Sequence, residues 1–174
     1  MNRALFLDRD GIINERLVGA YVRSPLEFRL LDDVLLILKN AHQLGYRLIL
    51  ITNQQGVGKG LMTVADLDAV HEVMQSQLDE HGVRLDAIYF CTDLASSNSP
   101  RRKPAPGMLL EAIADFGLDP AHCWFLGDSI SDAQAGKAAG VRTALVGEFD
   151  AHEADIVAPT LEQMQGALGL SFHD

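Results

Sequence analysis

At 174 residues, with 48% hydrophobic and 22% charged side chains, the chain reads as one globular domain large enough to bury a core. A net charge of −10 argues against a nucleic-acid footprint and against attraction to anionic membranes. No apolar stretch approaches the roughly 18 residues of a membrane span. Two cysteines, Cys91 and Cys123, cannot build a disulfide framework; one bridge between them is conceivable, but buried thiols in a reducing, cytoplasmic setting are expected.

Short apolar runs alternate with longer amphipathic stretches, the pattern of βαβ units and a mostly parallel sheet. The first strand is expected at about Ala4 to Asp8, where four apolar residues run into Asp8-Arg9-Asp10-Gly11. It reads as a strand, not as the apolar core of a secretion signal. Gly11 to Leu30 is irregular and long for a connection, and such loops in compact domains often carry function. Asp32-Asp33 opens a helix carrying Val34, Leu35, Leu38, Ala41 and His42 and stopping at Gly45; the acids suit its N-terminus and the glycine its C-cap. Arg47 to Ile51 is a second buried strand, ending at Thr52-Asn53-Gln54-Gln55. Thr63 and Asp66 spell a capping box, and Leu67, Val70, Met74 and Leu78 follow at helical spacing before Gly82.

Ala87 to Phe90 is a third strand, and Cys91 to Pro106 is a polar, proline-bearing loop. Met108 to Phe116 is a helix ended by Gly117. Cys123 to Leu126 is a fourth strand that stops at Gly127-Asp128. Ser131 to Ala139 is a small-residue helix ended by Gly140, Thr143 to Val146 a fifth strand, and Leu161 to Leu168 a last short helix.

In open α/β sheets, ligands bind beyond the carboxyl ends of the strands. Three such ends carry distinctive polar groups: Asp8 with Asp10, Thr52 with Asn53, and Asp128. Arg101-Arg102-Lys103, in the loop after the third strand, adds positive charge on the same edge. Residues two apart in an extended segment point the same way, so Asp8 and Asp10 share a side and Arg9 is aimed elsewhere. Two carboxylates that close repel unless a cation or a shared proton relieves them.

Each group has a job it suits. Asp8 can form an acyl-phosphate as nucleophile. Asp10 can protonate the leaving oxygen and then activate water. Asp128 can complete a hard-cation site with Asp8 and the Asp10 backbone carbonyl, and so few protein oxygens suit Mg²⁺. The Thr52 hydroxyl and nearby N–H groups can hold phosphate oxygens, and Lys103 supplies a compact positive charge. Blander readings stand beside these. Thr52-Asn53 can merely end a strand with a turn. Arg101-Arg102-Lys103 can be a solvated loop, although Pro104 and Pro106 stiffen its end. Asp132 either supports the metal ligands from behind or is only a first-turn helix acid. His42, His71, His81, His122, His152 and His173 show no metal spacing and read as structural or surface residues. Gly56-Val57-Gly58-Lys59-Gly60 fails as a Walker loop, because Asn53 and Gly60 occupy positions that need Gly and Ser or Thr. A dinucleotide fingerprint would need Gly in place of Leu61.

Together these residues resemble the haloacid dehalogenase superfamily of phosphotransferases. Its four motifs appear in order as Phe6-Leu7-Asp8-Arg9-Asp10-Gly11, Ile51-Thr52-Asn53, Lys103-Pro104, and Gly127-Asp128 with Asp132. The longer strings, including Ile13-Asn14 after the first motif and Gly107-Met108 after the third, look like the branch whose members act on heptose 1,7-bisphosphate and histidinol phosphate. The resemblance implies a three-layer α/β/α, Rossmann-like fold without a large cap domain. It implies Asp8 as nucleophile, Asp10 as acid and base, and Mg²⁺ on Asp8, Asp10 and Asp128, with Asp132 behind them. It implies Thr52 and Lys103 on the transferred phosphoryl group and Arg102 reading the substrate. Arg9, Tyr21, Asn53, Gln54, Gln55, Lys59 and Ser129 are further candidates for substrate contact, and Lys59 or Arg101 for a second phosphate. The segments Gly11 to Leu30, with Tyr21, and Cys91 to Lys103 must close the site.

There are two departures from the family pattern. Members commonly carry a zinc loop before Arg-Lys-Pro; here Cys91 alone remains of its ligands, and a structural zinc site needs four, so no zinc is expected. Ser129 stands where such phosphatases often place Lys. The leading expectation is a Mg²⁺-dependent phosphatase of a small phosphorylated sugar, first the 7-phosphate of heptose 1,7-bisphosphate. Histidinol phosphate comes second, because its cationic arm should prefer acids to Arg101-Arg102 at the mouth. A catalytically silent phospho-ligand sensor is the non-enzyme alternative, and the presence of both Asp8 and Asp10 argues against it. A monomer without nucleic-acid or membrane partners is expected.

Overall fold

The computed structural model describes residues 2–172. Six strands form one sheet in the order β3-β2-β1-β4-β5-β6: β1 (Ala4–Leu7), β2 (Arg47–Asn53), β3 (Ala87–Cys91), β4 (Trp124–Gly127), β5 (Arg142–Val146) and β6 (Ile156–Ala158). Every pairing is parallel, with Phe6 opposite Ile49 on one side and Phe125 on the other. Parallel strands joined by crossover helices are covered on both faces, which is why they read as unbroken apolar runs rather than alternating ones. β1 is buried at all four positions.

The period-two alternation sorts each strand between two cores. Leu5, Leu7, Leu48, Leu50, Trp124 and Leu126 face one side with α1 (Leu35–Gln43), α3 (Val64–Glu80) and α6 (Leu161–Ser171). Ala4, Phe6, Ile49, Ile51 and Phe125 face the other with α4 (Gly107–Phe116) and α5 (Ile130–Ala138). A fully buried Leu or Phe stabilises by about 1.5–3 kcal/mol, so the two apolar layers fix the sheet before any polar group is placed. This is the expected three-layer α/β/α arrangement.

The elements fall close to their expected places, with four differences. Asp32–Val34 is a 3-10 turn leading into α1 rather than the helix's first α-turn. β2 runs on through Thr52 and Asn53, so these residues belong to the strand. A short helix, α2 (Gln55–Gly58), follows in the glycine-rich segment. A Cβ at Gly58 would lie 2.2 Å from the Thr92 carbonyl oxygen; close passage of two chains accounts for this glycine without any phosphate loop. The sixth strand, three residues long at the sheet edge, carries too short a pattern to stand out. The Thr63–Asp66 capping box forms as expected, with Asp66 N donating to Thr63 Oγ1 (3.1 Å) and Thr63 N to Asp66 Oδ2 (2.8 Å). Cys91 and Cys123 are both free and buried. His173, read as structural or surface, lies outside the described residues.

Candidate active site

The strand order runs away from β1 in both directions, through β2 and β3 on one side and β4 to β6 on the other. Crevices form at such a switch point, and a cleft of about 300 Å³ opens there beyond the strand ends. Asp8 and Asp10 line it after β1, Asn53 at the end of β2 with Gln54 and Gln55 beyond it, Arg102 and Lys103 before α4, and Asp128, Ser129, Ser131 and Asp132 where β4 enters α5. Arg16, Leu17 and Tyr21, from the long connection after β1, close one side.

Lys103 is the buried hub. Its Nζ donates to Ile51 O (3.0 Å) and Asp132 Oδ1 (2.7 Å) and lies 3.0 Å from Asp8 Oδ1. Asn53 sets its backbone by a reciprocal pair, Asn53 Nδ2 to Lys103 O and Lys103 N to Asn53 Oδ1, both 3.1 Å. Burial alone would pull the Lys103 pKa down, but Asp132 and Asp8 push it well up, so the ammonium stays charged. Asp8 Oδ1 also accepts from Arg9 N (2.8 Å). Both donors converge on Oδ1, which leaves Oδ2 as the oxygen able to attack.

Asp132 is filled at both oxygens. Oδ1 takes Lys103, and Oδ2 accepts from Asp128 N (3.1 Å), Ser129 N (3.3 Å) and Ser129 Oγ (3.1 Å). Ser129 and Asp132 thereby form the capping box of α5, so Asp132 serves the helix terminus and the site together. Asp8, Asp128 and Asp132 carry oxygen atoms that all lie within 4.8 Å of one another. Burial pushes the Asp8 and Asp128 carboxyls above their usual range, and the charge of Asp132 pushes them further. Arg16 reaches Asp128 Oδ2 at 3.5 Å, but its side chain is 60% exposed and solvent screens the contact. A cluster of hard oxygens with more negative than positive charge fits a small divalent cation. Gly11, at φ +87°, makes the crowding possible: a Cβ there would sit 2.0 Å from Asp128 Oδ2.

Asp10 has the opposite environment. Its Oδ1 accepts from Arg9 Nη2 and Asn14 Nδ2, and its Oδ2 from Gln54 Nε2, each at 3.0 Å. Burial pushes its pKa up, but the Arg9 guanidinium and these hydrogen bonds outweigh that and hold it below the usual carboxylate range. With three donors on its carboxylate, Asp10 is better placed to offer a cation its backbone carbonyl, while Oδ2, with one donor only, keeps room for a proton.

Several expected substrate contacts have other partners. Arg9 is fully buried, bonded to Asp10 and to His71 Nε2 (3.1 Å); the same alternation that aims it away from Asp8 turns it into the core, away from the cleft. Thr52 is also fully buried, and its Oγ1 accepts from Gln54 Nε2 (3.0 Å) rather than lining the cleft. Lys59 lies outside the cleft, with its ammonium 5.3 Å from the centre of the Tyr21 ring. Arg101 is tied to Phe90 O (3.0 Å) and Glu111 (2.6 Å). Gln55 bridges the two loops expected to close the site: its Nε2 donates to Tyr21 Oη (3.3 Å) and its Oε1 accepts from Ala95 N (2.8 Å). Arg102 lines the cleft and reaches Asp93 O (3.4 Å). Around Cys91, Sγ pairs with Asp93 Oδ2 (3.4 Å) and Ser99 Oγ (3.9 Å); among the described residues Asp8, Asp128 and Asp132 form the one group of three metal-capable side chains.

Three residues matter beyond the expected site set: Asn14, present only as part of the Ile13-Asn14 string, Arg16, and His71, which reads from the sequence as structural or surface. Asn14 holds Asp10, and its signal is a lone polar residue after Ile12-Ile13. Arg16 approaches Asp128 from a loop without periodicity, and His71 lies on the buried face of α3; neither leaves a local signal.

The fold and this cleft define a class. Residues 3–140 match the haloacid dehalogenase-like hydrolase family model, and the chain belongs to that family. Among its relatives, the D-glycero-beta-D-manno-heptose-1,7-bisphosphate 7-phosphatase of Helicobacter pylori is 39% identical over 146 residues, 83% of each chain. The D-glycero-alpha-D-manno-heptose-1,7-bisphosphate 7-phosphatase of Burkholderia mallei is 40% identical over 152 residues, 83% of this chain and 79% of that one. The crystal structure of the D,D-heptose 1,7-bisphosphate phosphatase of B. bronchiseptica, complexed with magnesium and phosphate, superposes with a TM-score of 0.86 at 31% identity and covers 98% of this chain and 99% of that one.

Proposed function

We propose that this chain is a Mg²⁺-dependent phosphatase that removes the 7-phosphate of D-glycero-D-manno-heptose 1,7-bisphosphate through an aspartyl-phosphate on Asp8. One observation carries the reading: Asp8 is held through Oδ1 alone, beside two further carboxylates and across from a differently tuned Asp10. Asp8 Oδ2 forms the bond to phosphorus as the bond to the sugar oxygen breaks, and Asp10 gives that oxygen its proton. Water then attacks the same phosphorus, Asp10 takes the water proton, and the P–O bond to Asp8 breaks to release phosphate. Asp10 is ionised in the free protein; a phosphate dianion docking beside it is a like charge that raises its proton affinity, so its acid form is tied to substrate binding. Mg²⁺ held by Asp8, Asp128 and the Asp10 carbonyl would offset repulsion between nucleophile and phosphate. Lys103 holds Asp8 and neutralises the transferring group, while Arg102 and Arg16, the cleft's other cations, suit the second phosphate.

Histidinol phosphate fits less well, since its ammonium arm would meet Arg16 and Arg102. A silent sensor would need neither Asp8 nor Asp10. No zinc is invoked for the loop around Cys91. The free, buried thiols suit a reducing cytoplasmic setting, and the net charge of −10 suits neither nucleic acid nor an anionic membrane surface; among the described residues no helix is long and apolar enough to cross a membrane.

The test is phosphate release, with Mg²⁺ and with chelator, from both anomers of heptose 1,7-bisphosphate, from histidinol phosphate and from a sugar monophosphate panel. Chelator-sensitive release with preference for a heptose bisphosphate anomer is expected. Equal or faster release from histidinol phosphate overturns the substrate, and no release from any compound supports the sensor.

A further inference from the structure

We propose that His71, on the buried face of α3, is a positioning residue: it holds the Arg9 guanidinium that in turn fixes the Asp10 carboxylate. The inference rests on the role given to Asp10 above and adds a residue outside all four family motifs. Three polar groups form one buried chain. Asp10 Oδ1 accepts from Arg9 Nη2 at 3.0 Å, and Arg9 Nη1 meets His71 Nε2 at 3.1 Å. Arg9 is wholly buried and His71 only 6% exposed.

A guanidinium has donors only, so the contact requires Nε2 of His71 to be the unprotonated, accepting nitrogen. The surroundings hold it so: burial lowers the imidazole pKa to about 4, with the Arg9 charge as the next cause. The proton then sits on Nδ1. The ring also borders a surface groove with Asp68 and Glu72, and it packs against Phe90 with centroids 6.2 Å apart.

Arg9 needs this partner for a specific reason. Among the described residues Asp10 is its one ion-pair partner, and its buried Nε has no hydrogen-bond partner. A buried guanidinium anchored at one end only can swing about that contact; a second anchor on a rigid 17-residue helix removes the freedom. Asp10 must meet the leaving oxygen and then the attacking water within hydrogen-bond reach, so an error passed through Arg9 costs rate and leaves ground-state binding alone.

The experiment compares wild type with His71→Gln, whose Oε1 can accept from Arg9, and with His71→Leu, which packs but cannot accept. Should the Leu variant fail to fold, His71→Asn, with an amide too short to reach, replaces it. Each is assayed for kcat and KM on heptose 1,7-bisphosphate with Mg²⁺. In parallel, the ¹³C resonance of the Asp10 carboxylate is followed at neutral pH. For Leu, a kcat about 10-fold or more below wild type with KM within about twofold is expected, and for Gln a return to within about threefold. The Asp10 resonance should move in Leu and return in Gln. Wild-type kcat and resonance in Leu, equal loss in both variants, or KM rising in step with the loss each overturn the proposal. If wild type releases no phosphate, the functional reading fails by itself, and the resonance comparison decides the positioning role.

Discussion

Asp8 and Asp10 lie two residues apart on one turn, yet their surroundings drive them in opposite directions. Asp8 shares its neighbourhood with Asp128 and Asp132, and burial and like charge push its carboxyl up. Asp10 is met by Arg9, Asn14 and Gln54, which outweigh burial and pull its carboxyl down. One region is short of positive charge; the other sets a guanidinium and two amide donors around its carboxylate. Where two carboxylates are separated in this way, their chemical roles separate as well. The first can bind a cation and offer a nucleophile, and the second can hold and return a proton. The lesson is that a shared motif assigns the residues and the packed neighbours assign the roles.

The most severe way to break this contrast is Asp8→Asn. Turnover should fall by about 10⁴-fold or more while substrate binding is kept, read from phosphate release and from calorimetric titration. Binding lost together with turnover would mean that the change damaged the cleft as a whole. Next is Lys103→Met, which leaves Asp8 and Asp132 without their buried partner. Breaking a buried pair from one side costs about 3–5 kcal/mol, and the midpoint of urea unfolding should drop accordingly; an unchanged midpoint would show that the carboxylates simply take up protons.

His71 sharpens the Asp10 side. Between its folded pKa of about 4 and the ordinary value of 6.5, the unfolded chain takes a proton and the folded chain does not. Acid therefore favours unfolding across that window, and the contribution is fully present above about pH 6.5. Over the whole window it amounts to roughly 3 kcal/mol. In His71→Gln, whose side chain does not titrate, denaturant midpoints between pH 4 and 6.5 should fall less steeply than in wild type; equal slopes would remove His71 from the acid response. The smallest effect belongs to Arg16→Ala. The Arg16–Asp128 contact is 3.5 Å long and screened, so stability should shift by less than about 1 kcal/mol. KM for a bisphosphate should nonetheless rise more than KM for a monophosphate, and equal KM changes would separate Arg16 from the second phosphate.

Much of the site was legible because it stands at strand ends. Asp8 and Asp128 each follow a strand at once and Asp10 stands two residues beyond Asp8, and α/β sheets gather such positions at one edge. Thr52, Arg9 and Arg101 were equally conspicuous in the sequence, yet Thr52 and Arg9 turn into the core and Arg101 is tied to β3 and α4. Which way a polar residue faces at a strand end depends on where the strand stops. β2 runs on through Thr52, and the period-two alternation turns its side chain to the face opposite Ile51, into the core. Arg16 and His71 were illegible for another reason: their partners are 112 and 62 residues away in the chain.

By itself, the sequence determined the order of the first five strands and of the five longer helices, the sheet edge where polar residues gather and the candidate carboxylates there. All of these follow from local apolar periodicity and from polar residues that interrupt it. Only the tertiary structure decided that Asp8 is crowded by acids, that Asp10 is ringed by donors and that Arg9 is an internal strut with His71 behind it. Those outcomes depend on distances of about 3 Å between groups far apart in the chain, where burial and charge act through space rather than along the backbone.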